Sequence, residues 1–185
     1  TALSKLVCST TAKDDSSLIP PQGWSPTFIA DVFYDECGGR EETLKDLTTE
    51  QACEQFIKPK TQERQSSYCD LLNWQGHAAY RDTAEVFLSH AHEVKFLSVV
   101  DALQWHFRHQ PDTIIWFDLF SINQHQTTDW TFDWLSTTFK LTIQEFGHTI
   151  MVLSPWNDPV PFTSAWCIFE VFCTAVAGNN FDIAF

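Results

Sequence analysis

Residues 113–119, with the sequence Thr-Ile-Ile-Trp-Phe-Asp-Leu, combine β-branched and aromatic side chains, and this composition predicts a strand. Before this strand, residues 94–107 carry apolar side chains at the spacing of one helix face, and residues 85–88 predict a short apolar strand. After it, residues 132–146 place apolar side chains at intervals of three and four, which predicts a second helix. Residues 148–153 then predict a third strand.

The alternation of strand and helix continues to the end of the chain and decides the fold class. Residues 166–176 predict a third helix, Gly178 ends it, and residues 181–185 predict a fourth strand. Such alternation is typical of right-handed βαβ units around a parallel sheet. The sequence therefore predicts an α/β, doubly wound parallel sheet over residues 84–185.

Residues 1–83 differ in kind from the rest of the chain. They hold eight of the eleven basic residues, and their periodic stretches are short. Thr48 to Gln51 form a capping box that predicts a helix through Ile57, and Ser67 predicts the start of another helix. We expect an N-terminal, mostly helical and loop extension that packs on the core.

Composition excludes several classes of function. The 185 residues have a formal net charge of −13, which argues against a nucleic-acid backbone or an anionic membrane as partner. No apolar run is long enough to span a bilayer, and the N-terminus lacks a signal-peptide pattern. Six scattered cysteines without a Cys-x-x-Cys pair favour buried free thiols and a cytoplasmic protein; three disulfides are the alternative. These cysteines are Cys8, Cys37, Cys53, Cys69, Cys167 and Cys173.

Polar residues that follow the predicted strands are the first candidates for a site, because doubly wound sheets bind ligands beyond the carboxyl ends of their strands. His90 and His92 form a His-x-His pair, but a zinc site needs three or four ligands, so we expect loop histidines and no metal. Asp118 ends an otherwise apolar strand, where it either caps a neighbouring loop or contacts a ligand.

Glu170 is the most informative single residue. It falls on or beside the apolar stripe of the third predicted helix, and no other charge occurs between Ala165 and Ala177. A carboxylate near the core costs free energy unless it is paired or has a raised pKa, and such groups gather at functional sites. The alternative is an edge glutamate that reaches solvent or bonds a backbone amide.

Signatures of other nucleotide and nucleophile sites do not occur in this sequence. It has no Gly-rich phosphate loop and no nucleophile elbow around Ser89. Trp130, Trp134 and Trp156 lie on or near the predicted ligand edge, where a flat ligand would stack, although a core role is favoured for each.

Four sequence motifs occur in one order along residues 84–185. Residues 84–90, Ala-Glu-Val-Phe-Leu-Ser-His, and residues 116–119, Trp-Phe-Asp-Leu, lie on the first two predicted strands, and residues 150–155, Ile-Met-Val-Leu-Ser-Pro, on the third. Residues 164–170 fit the pattern Ser-x-Trp-Cys-x-x-Glu. Together these motifs resemble those of a TIR (Toll/interleukin-1 receptor) domain, which implies a flavodoxin-like fold.

The resemblance also implies one of two functions. Some TIR domains cleave the nicotinamide–ribose bond of NAD+, and in those members the glutamate of the motif is essential, which implies a catalytic role for Glu170. It further implies that Ser89 and His90 line the nucleotide side, that Trp166 shapes the nicotinamide–ribose pocket, and that the loop at 121–131 covers it. NAD+ would be the substrate, with no cofactor, and we include Asp118 among the substrate-binding candidates.

The alternative is a non-catalytic TIR-like module that acts by self-association as a homo-oligomer. Two departures from the family bear on this choice. Enzymatic members often place arginines after the first strand, whereas this chain has His90 and His92, and residues 84–185 carry only three basic against eleven acidic residues. A complete TIR domain also has a fifth strand and a closing helix, so two expectations stay open: residues 84–185 are truncated at the C-terminus, or residues 1–83 supply the missing cover.

Overall fold

The computed structural model describes residues 22–77, 81–126 and 131–185. In this part of the chain six strands form one sheet in the order β2-β1-β4-β3-β5-β6. The strands are β1 (Gln22–Trp24), β2 (Arg81–Thr83), β3 (Val86–Ser89), β4 (Ile115–Trp116), β5 (His148–Val152) and β6 (Asn180–Ala184).

Four neighbouring strands of the sheet, β4-β3-β5-β6, are parallel, as predicted for an α/β protein. Strand β3 lies between β4 and β5, so the chain moves first to one side of β3 and then to the other. This reversal opens a crevice at the carboxyl ends of β3 and β5 in sheets of this kind. Strand β4 is shorter than predicted, because Asp118 begins a short helix instead of ending the strand.

The helices predicted between the strands are present. The described helices are α1 (Pro26–Phe28), α2 (Tyr34–Glu36), α3 (Thr49–Ala52), α4 (Lys58–Thr61), α5 (Tyr68–Trp74), α6 (Phe96–His106), α7 (Asp118–Ser121), α8 (Phe132–Phe146) and α9 (Ala165–Ala177). Helices α8 and α9 each end at a glycine with positive φ, Gly147 and Gly178. Glycine adopts this conformation at little steric cost, and the conformation lets the chain cap the last carbonyl groups of the helix. Three π-helical segments lie at Ile29–Phe33, Arg40–Leu44 and Cys53–Ile57.

Alternating side chains of the strands pack against helices on both faces of the sheet. Val86 and Leu88 belong to a large buried cluster that includes α6 and the N-terminal helices. Phe87, between them, points to the other face, where it stacks on Trp116 and packs with α8 and α9. Burial on both faces explains why the parallel strands are apolar throughout.

Residues 22–77 and 81–83 contribute a capped helical segment and two further strands. The capping box of Thr48 and Gln51 is formed, and the helical segment that follows it continues past Ile57 to Thr61. Strands β1 and β2, which the sequence analysis did not predict, extend the sheet antiparallel beside β4. Gly23 permits this pairing, because a Cβ atom at that position would overlap the carbonyl of Ile115.

The five cysteines within the described residues are free and buried, as predicted, whereas Cys8 lies outside those residues. No helix in the described part of the chain is long and apolar enough to cross a membrane.

Candidate functional site

The carboxyl ends of β3 and β4 bring four of the candidate residues to one edge of the sheet. Ser89 is the last residue of β3, and His90 and His92 follow it directly. Asp118 begins α7 two residues after β4 ends. Because β3 and β4 are adjacent and parallel, side chains that are 26 or more residues apart in the sequence become neighbours.

Helix α9 contributes the fifth candidate, Glu170, from its second turn. Ser164 caps this helix by accepting a hydrogen bond from the backbone N–H of Cys167. Glu170 is 4% exposed, and the hydroxyl of Ser89, which is fully buried, donates to its Oε2 at 2.5 Å. The structure therefore joins two residues that lie 81 positions apart, at the carboxyl end of β3.

The surroundings of Glu170 disfavour its ionised form. Burial raises its pKa from 4.5 to about 8, and the negative charge of Asp118 also raises it. Hydrogen bonds from Ser89 and Trp166, and the nearby His92, act in the opposite direction without overcoming burial. A carboxyl group in this state changes protonation near neutral pH, and a cation that reaches it favours the ionised form.

Asp118 lies in a contrasting environment beside two imidazoles. His92 Nε2 hydrogen-bonds to Asp118 Oδ2 at 2.8 Å, and His90 Nδ1 lies 3.9 Å from Oδ1. The backbone N–H of Leu119 donates to Oδ1 at 2.7 Å. Asp118 is thus stabilised as an anion at the start of a helix and beside a partner that can carry a positive charge.

These contacts move the three pKa values apart. Burial alone would raise the pKa of Asp118, but the neighbouring histidines and the Leu119 N–H lower it to about 2. The charge of Asp118 and its hydrogen bond raise the pKa of His92 to about 9. His90 is buried, which lowers its pKa to about 4 and keeps its imidazole neutral. At neutral pH the group is a His92–Asp118 ion pair beside a neutral His90.

One ring nitrogen of each histidine and a carboxylate oxygen of Asp118 lie within 4.8 Å of one another. From the sequence we predicted no metal at this position, because the two histidines alone are too few ligands for a zinc site. The structure adds Asp118 as a third group able to ligate a metal ion.

Trp166 is half-buried and packs at the start of α9. Its ring lies edge-on to Phe139 at 5.0 Å and tilted against Phe169 at 5.5 Å, and its side chain also hydrogen-bonds to Glu170. Trp134 is half-buried on α8, whereas Trp130 lies outside the described residues. Trp156 is highly exposed, so the core role favoured for it from the sequence is wrong. Among these tryptophans, those that the structure describes include one that is joined to Glu170, namely Trp166.

The segment that carries His92 is held by the N-terminal half of the chain. The Thr49 hydroxyl and the Glu50 N–H donate to the carbonyl of His92 at 2.8 and 3.2 Å. The N–H groups of Thr49 and Phe96 continue this pattern by donating to the carbonyls of Val94 and Leu47. Sequence reasoning missed the role of this segment, since its capping box predicts a helix start and says nothing of its backbone partners.

Comparison with protein-family models, with curated proteins and with solved structures finds no match to this chain. The geometry of the site therefore has to carry the functional argument by itself.

Proposed function

We propose that this protein is a TIR-type NAD+ glycohydrolase with a flavodoxin-like core, in which Glu170 is the catalytic residue. The observation that carries the proposal is the buried carboxyl group of Glu170, whose hydrogen-bond partners, Ser89 and Trp166, are neutral. Ser89 ends β3, the strand at which the order reverses, and sheets of this architecture generally bind ligands near such a position.

The chemistry of NAD+ cleavage suits a single carboxylate. The bond between ribose C1′ and the pyridinium nitrogen breaks, its electron pair stays on that nitrogen, and nicotinamide leaves as a neutral molecule. The ribose then carries the positive charge, as in the oxocarbenium-like transition state of glycoside cleavage. Water adds hydroxide to C1′ and releases a proton, which gives ADP-ribose; capture by the adenine ring instead gives the cyclic product.

Glu170 supplies the charge that this transition state needs. An anion fixed in a low-dielectric environment stabilises a developing cation strongly, and it requires no solvent reorganisation during the reaction. The raised pKa means that Glu170 must lose its proton before it can act, and the positive nicotinamide ring favours that loss when the substrate binds.

The other site residues serve this carboxylate and the substrate. Ser89 and Trp166 orient Glu170 through hydrogen bonds. In this proposal His90 lines the nucleotide side, and Asp118, which pairs with His92, is a further substrate-binding candidate. The buried free thiols fit a protein that works in the cytoplasm, where NAD+ is present.

The test is nicotinamide release from NAD+ at high protein concentration. We expect release by the wild type and by Glu145→Gln, a control on the exposed face of α8. Glu170→Gln keeps the shape of the side chain but removes its charge, and we expect the rate to fall by roughly 100-fold to 1,000-fold. Equal rates for the wild type and Glu170→Gln would remove Glu170 from the mechanism.

A second candidate function, self-association without catalysis, is favoured by an exposed apolar surface. Ile168, Phe172 and Val176 recur every four residues on the solvent face of α9, and each is more than half exposed. If this surface mediates assembly, Phe172→Asp will reduce the solution mass measured by light scattering. Assembly that depends on Phe172, together with no nicotinamide release from the assembled wild type, would favour this function over the enzyme.

A further inference from the structure

We propose that His90, His92 and Asp118 bind a divalent transition-metal ion of the Zn2+ or Co2+ type. The three side chains project from the ends of two adjacent parallel strands. One candidate ligand atom from each lies within 4.8 Å of the other two. No other group of three candidate ligands in the described part of the chain meets that spacing.

The distances suit a small ion with nitrogen and oxygen ligands. Zn2+ lies about 2.0–2.2 Å from such atoms, so the ligands of a tetrahedral site are roughly 3.3–3.5 Å apart. The two measured separations from Asp118 are 2.8 Å to His92 and 3.9 Å to His90, which bracket that spacing. Two imidazoles and one carboxylate favour zinc or cobalt over magnesium or calcium, which prefer oxygen ligands.

A second observation points to a missing partner for His90. This side chain is 2% exposed, and its Nε2 atom is buried without a hydrogen-bond partner. Its Nδ1 atom is 3.9 Å from the nearest oxygen of Asp118, which is beyond hydrogen-bond length. A neutral imidazole coordinates a metal ion through one of its two nitrogens, and Nδ1, the atom that faces Asp118, has no hydrogen bond within the described residues that such an ion would displace.

The backbone around both histidines is already fixed, as a preformed site requires. The carbonyl of His90 accepts a hydrogen bond from the Cys167 thiol at 3.3 Å. The carbonyl of His92 accepts hydrogen bonds from Thr49 and Glu50. Metal binding therefore needs small side-chain movements and replacement of the proton between His92 and Asp118.

Three protein ligands leave a coordination position open, and this position suggests a role that rests on the function proposed above. Residues 84–185 carry three basic residues, Lys95, Arg108 and Lys140, and none of them forms part of the described site. A bound divalent cation would supply positive charge for the diphosphate of NAD+ beside the negative groups of the site.

The test is a titration of metal-stripped protein with Co2+, followed by visible absorption and in the absence of NAD+. His148→Ala is a matched control, because His148 hydrogen-bonds to Asp182 at 2.9 Å much as His92 does to Asp118. We expect one Co2+ per chain in the wild type and in His148→Ala, displaced by Zn2+. His92→Ala, which replaces an exposed side chain, should weaken binding by roughly 100-fold or more.

No Co2+ binding by the folded wild type, or equal affinity in His92→Ala, would overturn the metal site. Because NAD+ is absent from this titration, neither result bears on the proposed NAD+ cleavage, which the nicotinamide-release assay tests separately. Addition of ADP-ribose to the Co2+ form then tests whether the metal contacts the diphosphate. A changed absorption spectrum supports that contact. An unchanged spectrum removes the role in diphosphate binding and leaves the metal site itself in place.

Discussion

Glu170 and Asp118 place two carboxyl groups at one edge of the same sheet, yet their pKa values move in opposite directions. The pKa of Glu170 rises to about 8, whereas that of Asp118 falls to about 2. Burial disfavours the charge on both residues. The difference lies in their partners, because Asp118 contacts two histidines and a backbone N–H, while Glu170 contacts a hydroxyl and an indole.

This contrast shows what each carboxyl group is suited to do. Asp118 already has its counter-charge within the protein, so it serves as a fixed anion that orients the histidines. Glu170 has no comparable cation among its hydrogen-bond partners, and it gains one only when a positively charged group enters the site. A pair of carboxyl groups separated in this way is the pattern by which active sites divide roles between two acids.

The largest effect we expect is on stability. Between pH 4.5 and 8 the unfolded state ionises Glu170 while the folded state keeps it protonated, so folding loses stability as the pH rises through that window. At about 1.4 kcal/mol per pH unit the cost approaches roughly 4 kcal/mol at pH 8. Glu170→Gln removes this cost, and denaturant unfolding at pH 4 and pH 8 should show its advantage growing with pH.

The exposed Glu145→Gln variant is the control and should unfold like the wild type at both values of pH. A difference between Glu170→Gln and the wild type that is the same at pH 4 and pH 8 would mean that Glu170 is ionised in the folded protein.

The next largest effect concerns the pH dependence of NAD+ cleavage. If ionised Glu170 is required, kcat/KM should rise with pH and level off above about 8, because the pKa of the free enzyme controls it. The increase between pH 6 and pH 8 should be about 50-fold for a single ionisation with that pKa. A rate of nicotinamide release that is constant over this range would contradict the assignment.

Ser89→Ala is expected to have a smaller effect. The hydroxyl of Ser89 stabilises the ionised form of Glu170, so its removal raises the pKa of Glu170 further. Nicotinamide release at pH 7 should fall roughly tenfold, the value of one hydrogen bond to a charged group, and the gap should narrow at higher pH. A loss that is independent of pH would indicate that Ser89 acts other than through Glu170.

The last prediction concerns a titration, that of the exposed partner of Asp118. In protein treated with a chelator, the pKa of His92 should fall from about 9 toward its ordinary 6.5 in Asp118→Asn. Nitrogen-15 NMR of the imidazole measures it directly. Because the His92 side chain is 55% exposed, solvent screening limits the energy of this pair. An unchanged titration would show that Asp118 does not pair with His92 in solution.

The sequence predicted those parts of the fold that depend on local patterns. The apolar stripe of residues 132–146 and the β-branched run near Ile115 each determine their own element, and both elements are present. Strands β1 and β2 could not be found in this way, since each has three residues and is stabilised by pairing with distant strands.

The same distinction between local patterns and distant pairing applies to the residues of the site. Glu170 was found because it is the only charged residue in an apolar helix, and this pattern is visible in the residues next to it in the sequence. The link of Asp118 to His92, and hence the third metal ligand, depends on β3 lying beside β4. No local pattern specifies that adjacency, and none specifies that Thr49 and Glu50 hold the His92 carbonyl.

The contrast between the two carboxyl groups is tested most directly by a carbon-13 NMR titration of the carboxyl carbons, assigned with Glu170→Gln and Asp118→Asn. We expect Glu170 to titrate near pH 8 and Asp118 to titrate near pH 2. Titration of both groups near their ordinary values of 4.5 and 3.8 would contradict this expectation.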